Sequence, residues 1–235
     1  MFKKKKAPSP VYRDLLSRYL GPALQHQRAF GREVVQDQEW FVDFGDGTIR
    51  FGERKYPVQF IGTESDVSHT WLWGVENVNG YPEDVLTVVN QFFNPFVLQN
   101  VPDLAKTHLR LSGAVNGHFI ASIMAAMAKP PFCYYRCPYE NGAAFVLVGG
   151  VPEQVFAPVG VETAAEIIMN LIQQAELDHW VLAESMLGKN AVSVAEAGGQ
   201  PAGAPGERSL TGTFADGRAL VVSFDGKGRI ANLSY

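Results

Sequence analysis

The sequence predicts an α+β protein, in which a four-stranded antiparallel meander packs against an N-terminal helix and a long helix in the C-terminal half. Two additional β units complete the prediction. Three observations carry it: a helical apolar period from Tyr12 to Phe30, an apolar period of two from Glu39 to about Glu76, and a second helical period from Glu162 to about Leu187. A sheet with one covered face is stable when helices pack on it, and these helices are the expected cover.

The meander is predicted from four apolar runs that are separated by polar turns. The first two runs, Trp40 to Phe44 and Ile49 to Phe51, flank the turn Gly45-Asp46-Gly47. Pro57 opens the third run, at a position where a strand tolerates proline, and the fourth run extends from His69 to Val75. These runs are short and alternate in polarity, as expected for strands that are buried on one side.

The sequence pattern in the middle of the chain predicts both helices and strands. Proline and glycine mark the boundaries, and a continuously apolar run predicts one strand that is covered on both faces. The predicted elements are a helix from Pro82 to Asn94, a short helix from Pro102 to Leu111, a helix from Asn116 to Lys129, and a hairpin of Phe132 to Cys137 with Ala143 to Val148.

The C-terminal part contains a stretch of flexible composition. Residues 195–207 include four glycines and two prolines, which predicts a flexible loop. Three short strands follow, at Leu210 to Phe214, Ala219 to Phe224 and Arg229 to Tyr235. Such a small β unit does not fold alone, so we expect it to add to the rest of the structure. The prediction is a single α+β domain over residues 11–235.

Charge is distributed unevenly along the chain. Four of the 20 basic residues are Lys3 to Lys6, and the chain has 24 acidic residues. We interpret residues 1–10 as a disordered basic tail, because no apolar segment follows the lysines to form a secretory signal. The remainder is acidic and has no apolar run of membrane-spanning length. We therefore expect neither nucleic acid nor a membrane as a partner.

Two cysteines, Cys133 and Cys137, are the only ones in the chain. On a strand they would lie ~13 Å apart, which is beyond the separation of about 7 Å between α-carbons that a disulfide allows. Two free thiols are typical of a reducing compartment, so we expect a cytoplasmic protein. The sequence has no second Cys or His pair at zinc-ligand spacing, and we predict no metal and no cofactor.

The aromatic strand around Trp71 is the strongest candidate for a binding site. Strand alternation places Trp71 and Trp73 on one face with His69 and Asn77, and Glu64 belongs to the polar turn before them. Paired large aromatics form either a core or a ligand wall, and both interpretations remain open. The predicted binding residues are these five. No standard catalytic motif is present, so no catalytic residue is predicted.

The same segment, GTESDVSHTWLWGVEN, resembles an uncharacterised bacterial protein family that is marked by a G-T-x-S, T-W-L-W and final Asn block. The matching positions are Gly62, Thr63, Ser65, Thr70, Trp71, Leu72, Trp73 and Asn77. The resemblance covers roughly the first 80 residues. It implies no established activity and transfers no catalytic residue.

Two functional hypotheses follow from these observations. The first is a cytoplasmic bacterial binding or protein-interaction module, of an accessory or toxin-neutralising kind, with an unknown protein or small molecule as its partner. The alternative is a small-molecule enzyme with its site at the Glu64, His69 and Trp73 end of the meander. A concave pocket at that end would favour the enzyme, whereas a flat surface would favour a protein partner.

Overall fold

The computed structural model describes residues 7–98, 101–198 and 208–235, and it confirms the α+β class. The chain folds into two compact units. The first contains Met1–Tyr12 and His26–Phe156, and the second contains Arg13–Gln25 and Ala157–Tyr235. Residues 1–6 of the predicted basic tail lie outside the described residues, and Pro10 already belongs to the first helix.

Helix α1 extends over Pro10–Phe30, and residues 13–25 of it belong to the second unit. Its start is defined by Ser9, whose Oγ atom accepts a hydrogen bond from the Tyr12 N–H at 3.2 Å. A serine N-cap followed by proline is a favoured helix start, because proline lacks the N–H that would otherwise need a partner there.

The first unit contains a seven-stranded sheet, in which β1 to β5 are neighbours in chain order and β7 joins β3 to β6. The strands are β1 (Trp40–Asp43), β2 (Thr48–Phe51), β3 (Arg54–Ser65), β4 (Thr70–Trp73), β5 (His108–Arg110), β6 (Cys133–Tyr139) and β7 (Gly142–Val148). The predicted meander corresponds to β1 to β4. Strand β3 has 12 residues and pairs with β2 along its first part and with both β4 and β7 along its second. All seven residues of β7 are buried, as its apolar sequence predicts.

Helices α2 (Thr87–Leu98) and α3 (Gly117–Met127) belong to the same unit. Two sequence predictions need correction here. Helix α2 continues past the Asn94-Pro95 pair, and the segment 102–111 contains turns and strand β5 (His108–Arg110) instead of a short helix. Strand β5 pairs with β4, a partner more than thirty residues earlier in the chain, and local sequence does not reveal such a partner.

The second unit contains a four-stranded antiparallel sheet in the order β11-β10-β9-β8, with two helices that pack on it. Its elements are α4 (Val161–Gln174), α5 (His179–Asn190), β8 (Ser193–Ala197), β9 (Arg208–Thr213), β10 (Ala219–Phe224) and β11 (Ile230–Ser234). Of the three C-terminal strands, β9 pairs with β8, and together they form this separate sheet instead of extending the meander. Residues 195–197 of the predicted loop belong to β8, and residues 199–207 lie outside the described residues.

The long helix predicted from Glu162 to Leu187 is two helices, α4 and α5. The break falls before Asp178, whose carboxylate accepts hydrogen bonds from the backbone N–H groups of Trp180 and Val181 at 3.0 and 3.1 Å. An aspartate in this position satisfies the unpaired donors of a new helix. The apolar period continues across the break, so periodicity alone did not reveal it.

Cys133 and Cys137 are both buried and free. Burial raises the pKa of each thiol to about 12, because the thiolate loses its hydration in an apolar environment. Among the helices of the described residues, none is long and apolar enough to cross a membrane.

Candidate functional site

The two tryptophans of β4 are part of the core of the first unit. Trp71 is 0% exposed and Trp73 is 1% exposed, and their rings meet nearly at right angles with centroids 5.6 Å apart. Trp71 also contacts Phe145 at 5.3 Å, and Trp73 contacts Phe93 of α2 at 5.8 Å. Both side chains therefore provide packing, in the edge-to-face geometry that aromatic pairs favour.

Neither indole N–H of this pair has a hydrogen-bond partner among the described residues. Trp73 and Asn77 line a cavity of about 30 Å³, together with Phe60 and Tyr81. A cavity of this volume holds one or two water molecules and is far smaller than a site for a metabolite.

Asn77 closes the loop that follows β4. Its backbone is in the left-handed region at φ 39°, its Oδ1 atom accepts from the Tyr81 N–H at 2.7 Å, and its Nδ2 atom donates to the Tyr81 carbonyl at 3.0 Å. Asparagine tolerates this backbone conformation better than most residues. Both polar ends of the side chain are thus engaged in holding the loop.

His69 occupies the turn between β3 and β4, where it is exposed and has a φ of 52°. Its carbonyl oxygen accepts a hydrogen bond from the Leu111 N–H at 2.8 Å. The predicted strand face with Trp71 and Trp73 does not extend to His69, because β4 begins at Thr70.

Glu64 forms an ion pair that crosses strand β7. Arg136 Nε on β6 donates to Glu64 Oε1 on β3 at 2.7 Å, with the Glu64 side chain 12% exposed. A second carboxylate, that of Asp66, lies 3.7 Å from Arg136 Nη2. Helix α3 starts directly above this pair: a Cβ atom on Gly117 would lie 2.6 Å from both Glu64 Oε2 and the Phe145 ring. Only glycine permits that approach.

His118 is a neighbour of this ion pair that the sequence alone does not reveal. Its Nδ1 atom lies 3.1 Å from the Tyr134 hydroxyl, and its ring contacts Phe145 at 5.4 Å. Burial lowers the pKa of His118, while the Glu64 carboxylate opposes that change. The sequence predicts that His118 lies in the first turn of a helix, because it follows the N-cap residue Asn116 closely. Its proximity to Glu64 depends on how this helix packs on the sheet.

The turns of two hairpins lie together at this end of the sheet. The Asp66 N–H donates to the Asn141 carbonyl at 2.9 Å, and the Tyr139 hydroxyl donates to the Glu64 carbonyl at 3.4 Å. Val67 is 73% exposed and Tyr139 is 52% exposed. We call this surface the turn face, and it consists of Asp66, Val67, His69, Arg136, Tyr139 and Glu140.

The described residues contain no group of three or more His, Cys, Asp or Glu side chains that would hold a metal ion. The turn face presents charged side chains together with the exposed side chains of Val67 and Tyr139.

Comparison with known proteins gives one family match, and the matched residues include this end of the sheet. A family of unknown function, DUF6882, matches residues 13–151, which is more than half of the chain. The chain belongs to this family. No curated protein and no solved structure matches the chain. The DUF6882 region includes the Trp71 strand, the Glu64–Arg136 pair and the turn face, and it confirms the resemblance to an uncharacterised family.

Proposed function

We propose that this DUF6882 protein is a cytoplasmic protein-interaction module that binds its partner through the turn face. The observation that supports the proposal is the exposure of Val67 and Tyr139 beside an ion-paired network at one sheet end. Tyrosine and arginine are enriched at the centres of protein interfaces, and the turn face contains both Tyr139 and Arg136.

The turn face is also held in place before any partner arrives. The hydrogen bond from Asp66 to Asn141 joins the two turns, and the Glu64–Arg136 pair fixes the strands behind them. Side chains on a fixed backbone lose less conformational entropy when they bind, which favours affinity. Asp66 and Glu140 are exposed, so the partner that fits best presents basic residues around an apolar centre.

A photo-crosslinking amino acid placed at Val67 or Tyr139 tests this proposal in the native host. We expect a crosslinked product of one defined mass from both positions. Val192 is the matched control, because it is 70% exposed but belongs to the second unit. The product should disappear when Asp66→Lys is added. Equal crosslinking from residue 192, or none from residues 67 and 139, would contradict the proposal. An accessory or toxin-neutralising role stays a prediction that identification of the partner would test.

A second candidate function is a small-molecule enzyme at the same sheet end. One observation favours it: His118 follows Gly117, where a Cβ atom would lie 2.6 Å from Glu64 Oε2, so the start of α3 brings the histidine to the Glu64–Arg136 pair. A histidine and a carboxylate in proximity are the groups that general acid–base catalysis uses. The test is a substrate-class screen of the wild type against Glu64→Gln and His118→Gln, in which the enzyme hypothesis requires both variants to lose any turnover found.

A further inference from the structure

The second unit contains a cavity of about 620 Å³ that plays no part in the proposed interaction. It forms where the connection between α4 and α5, the start of β9 and the turn between β10 and β11 come together. Its volume falls in the range of small-molecule sites. We call it the basic pocket, because four of its lining residues are arginine or lysine. The residues that matter here are Arg13, His179, Trp180, Arg208, Lys227 and Arg229.

The lining of the basic pocket is cationic, although the chain as a whole has a net charge of −4. Four lining residues are arginine or lysine, and two, Glu176 and Asp178, are acidic. The Asp178 carboxylate is already occupied, because it accepts hydrogen bonds from the first N–H groups of α5. Among the lining side chains, the four positive charges outnumber the two negative ones, which favours an anionic ligand.

Two of the four cations are held by carboxylates outside the pocket lining. Arg208 Nη2 lies 2.7 Å from Glu196, and Arg229 Nη2 lies 3.0 Å from Asp225. Within residues 7–98, 101–198 and 208–235, neither Arg13 nor Lys227 forms an ion pair. The pocket thus combines two positioned guanidinium groups with two charges that are available to a ligand.

The turn that carries Lys227 and Arg229 is ordered by Asp225. Its Oδ1 atom accepts from the backbone N–H groups of both residues at 2.9 Å, and Gly228 between them has a φ of 73°. The sequence Asp-Gly-Lys-Gly-Arg suggests only a tight turn, since nothing in it shows that the turn faces Arg13 and Arg208. An aspartate that bonds the backbone two residues ahead is a common way to fix a turn.

A planar surface forms one wall of the basic pocket. The Arg208 guanidinium carbon lies 3.7 Å from the centroid of the Trp180 ring, which also contacts Phe224 at 4.9 Å. Stacked guanidinium and indole groups present a flat, polarisable surface to an aromatic ligand. His179 Nδ1 accepts from the Ile230 N–H at 3.0 Å, so the neutral ring carries its proton on Nε2, which is a further donor.

These observations assign a ligand class, and we infer that the basic pocket binds a small phosphorylated molecule with a planar ring, of the size of a nucleoside monophosphate. The phosphate interacts with Arg13, Lys227 and Arg229. The ring lies against the Arg208–Trp180 surface.

Isothermal titration of the full chain with adenosine monophosphate, ribose 5-phosphate and inorganic phosphate tests this inference. We expect adenosine monophosphate to bind most tightly. Arg13→Ala and Lys227→Ala should each weaken its binding about tenfold, as the loss of one charge-assisted hydrogen bond predicts. Arg18→Ala is the control, because Arg18 is exposed on the same helix as Arg13 but does not line the pocket. It should leave the affinity unchanged.

The planar wall is tested by Arg208→Lys, which keeps the charge and removes the flat guanidinium. We expect this substitution to lower the affinity for adenosine monophosphate about fivefold or more and to leave the affinity for inorganic phosphate unchanged. Melting temperatures equal to that of the wild type confirm that the variants are folded. Failure of all three probes to bind, or an equal effect of Arg18→Ala, would overturn the inference. Equal affinities for adenosine monophosphate and inorganic phosphate would overturn the role of the ring.

Discussion

Glu64 and Arg136 pair at 2.7 Å across an intervening strand, although 72 positions separate them in the sequence. Glu64 lies opposite Ala143 of β7, and Arg136 lies opposite Phe145 of the same strand. The two charged side chains therefore meet across Ala143 and Phe145 on one face of the sheet. Trp71 lies opposite Glu64 on the other side of β3. The most buried ion pair of the turn region therefore adjoins the aromatic core.

The first prediction concerns the energy of this ion pair. A double-mutant cycle with Glu64→Ala and Arg136→Ala should give a coupling of about 1–3 kcal/mol in urea unfolding, because both groups are partly shielded from water. The control is the exposed pair Lys55–Asp46, whose side chains are 53% and 66% exposed. Its coupling should stay below about 1 kcal/mol. Equal couplings for the two pairs would show that the turn face is not organised by Glu64.

The second prediction concerns the tryptophan pair. Trp71→Ala and Trp73→Ala should each lower the free energy of unfolding by about 3–5 kcal/mol, because each leaves a large void in a sealed core. Phe41→Ala, at a side chain that is 57% exposed, should cost less than about 1 kcal/mol. Thermal unfolding measures all three. A small effect at Trp73 would support the ligand-wall interpretation instead.

The sequence predicts local elements well where period and caps agree. Helix α3 begins after Asn116, whose Oδ1 atom accepts from the Phe119 N–H at 2.9 Å, and the buried strand β7 follows from its apolar residues. The sequence does not show which residues that are far apart in the chain lie close together in the fold. Strand β5 needed a partner in β4, and the break before α5 depended on a single aspartate within a continuous apolar period.

The candidate site shows the same limit. The sequence predicts five binding residues along one stretch of the chain, but Trp71 and Trp73 are buried while His69 is exposed on a turn. His118 and Arg136, which surround Glu64, come from α3 and β6 and have no periodic relation to it. Proximity of that kind arises from the pairing of β7 with both β3 and β6.

The third prediction concerns the cysteines. Cys133 and Cys137 should react with Ellman's reagent at pH 8 only after denaturation, because burial raises the pKa of both thiols to about 12. The urea-unfolded chain should show two reactive thiols per molecule. The native chain should show no reactive thiol within the dead time of mixing with the reagent. Rapid labelling of the native protein would show that β6 opens readily.

The fourth prediction concerns limited proteolysis. Cleavage should occur first within residues 198–207, whose composition is rich in glycine and proline. Strand β8 ends at Ala197 and pairs with β9, so the two fragments should elute together until denaturant is added. Separation without denaturant would show that residues 208–235 do not need the rest of the chain, which contradicts the predicted single domain over residues 11–235.

The fifth prediction concerns pH and His179. Burial lowers the pKa of this histidine, while Asp178 opposes the change. Its Nδ1 atom accepts from the Ile230 N–H, an interaction that protonation of Nδ1 removes. The unfolded chain takes up a proton near pH 6.5, whereas the folded chain does so only at lower pH. The unfolded state therefore binds more protons in this interval, and stability falls as pH decreases from about 7 through 6.5.

His179→Asn isolates this contribution. The amide oxygen keeps an acceptor for the Ile230 N–H but does not titrate, so the difference in unfolding free energy between wild type and variant should change between pH 7.5 and 5.5. His69→Asn is the matched control, because His69 is exposed and belongs to the first unit. Urea unfolding at several pH values measures both. Parallel pH profiles for wild type and His179→Asn would show that the interaction between α5 and β11 does not depend on the neutral imidazole.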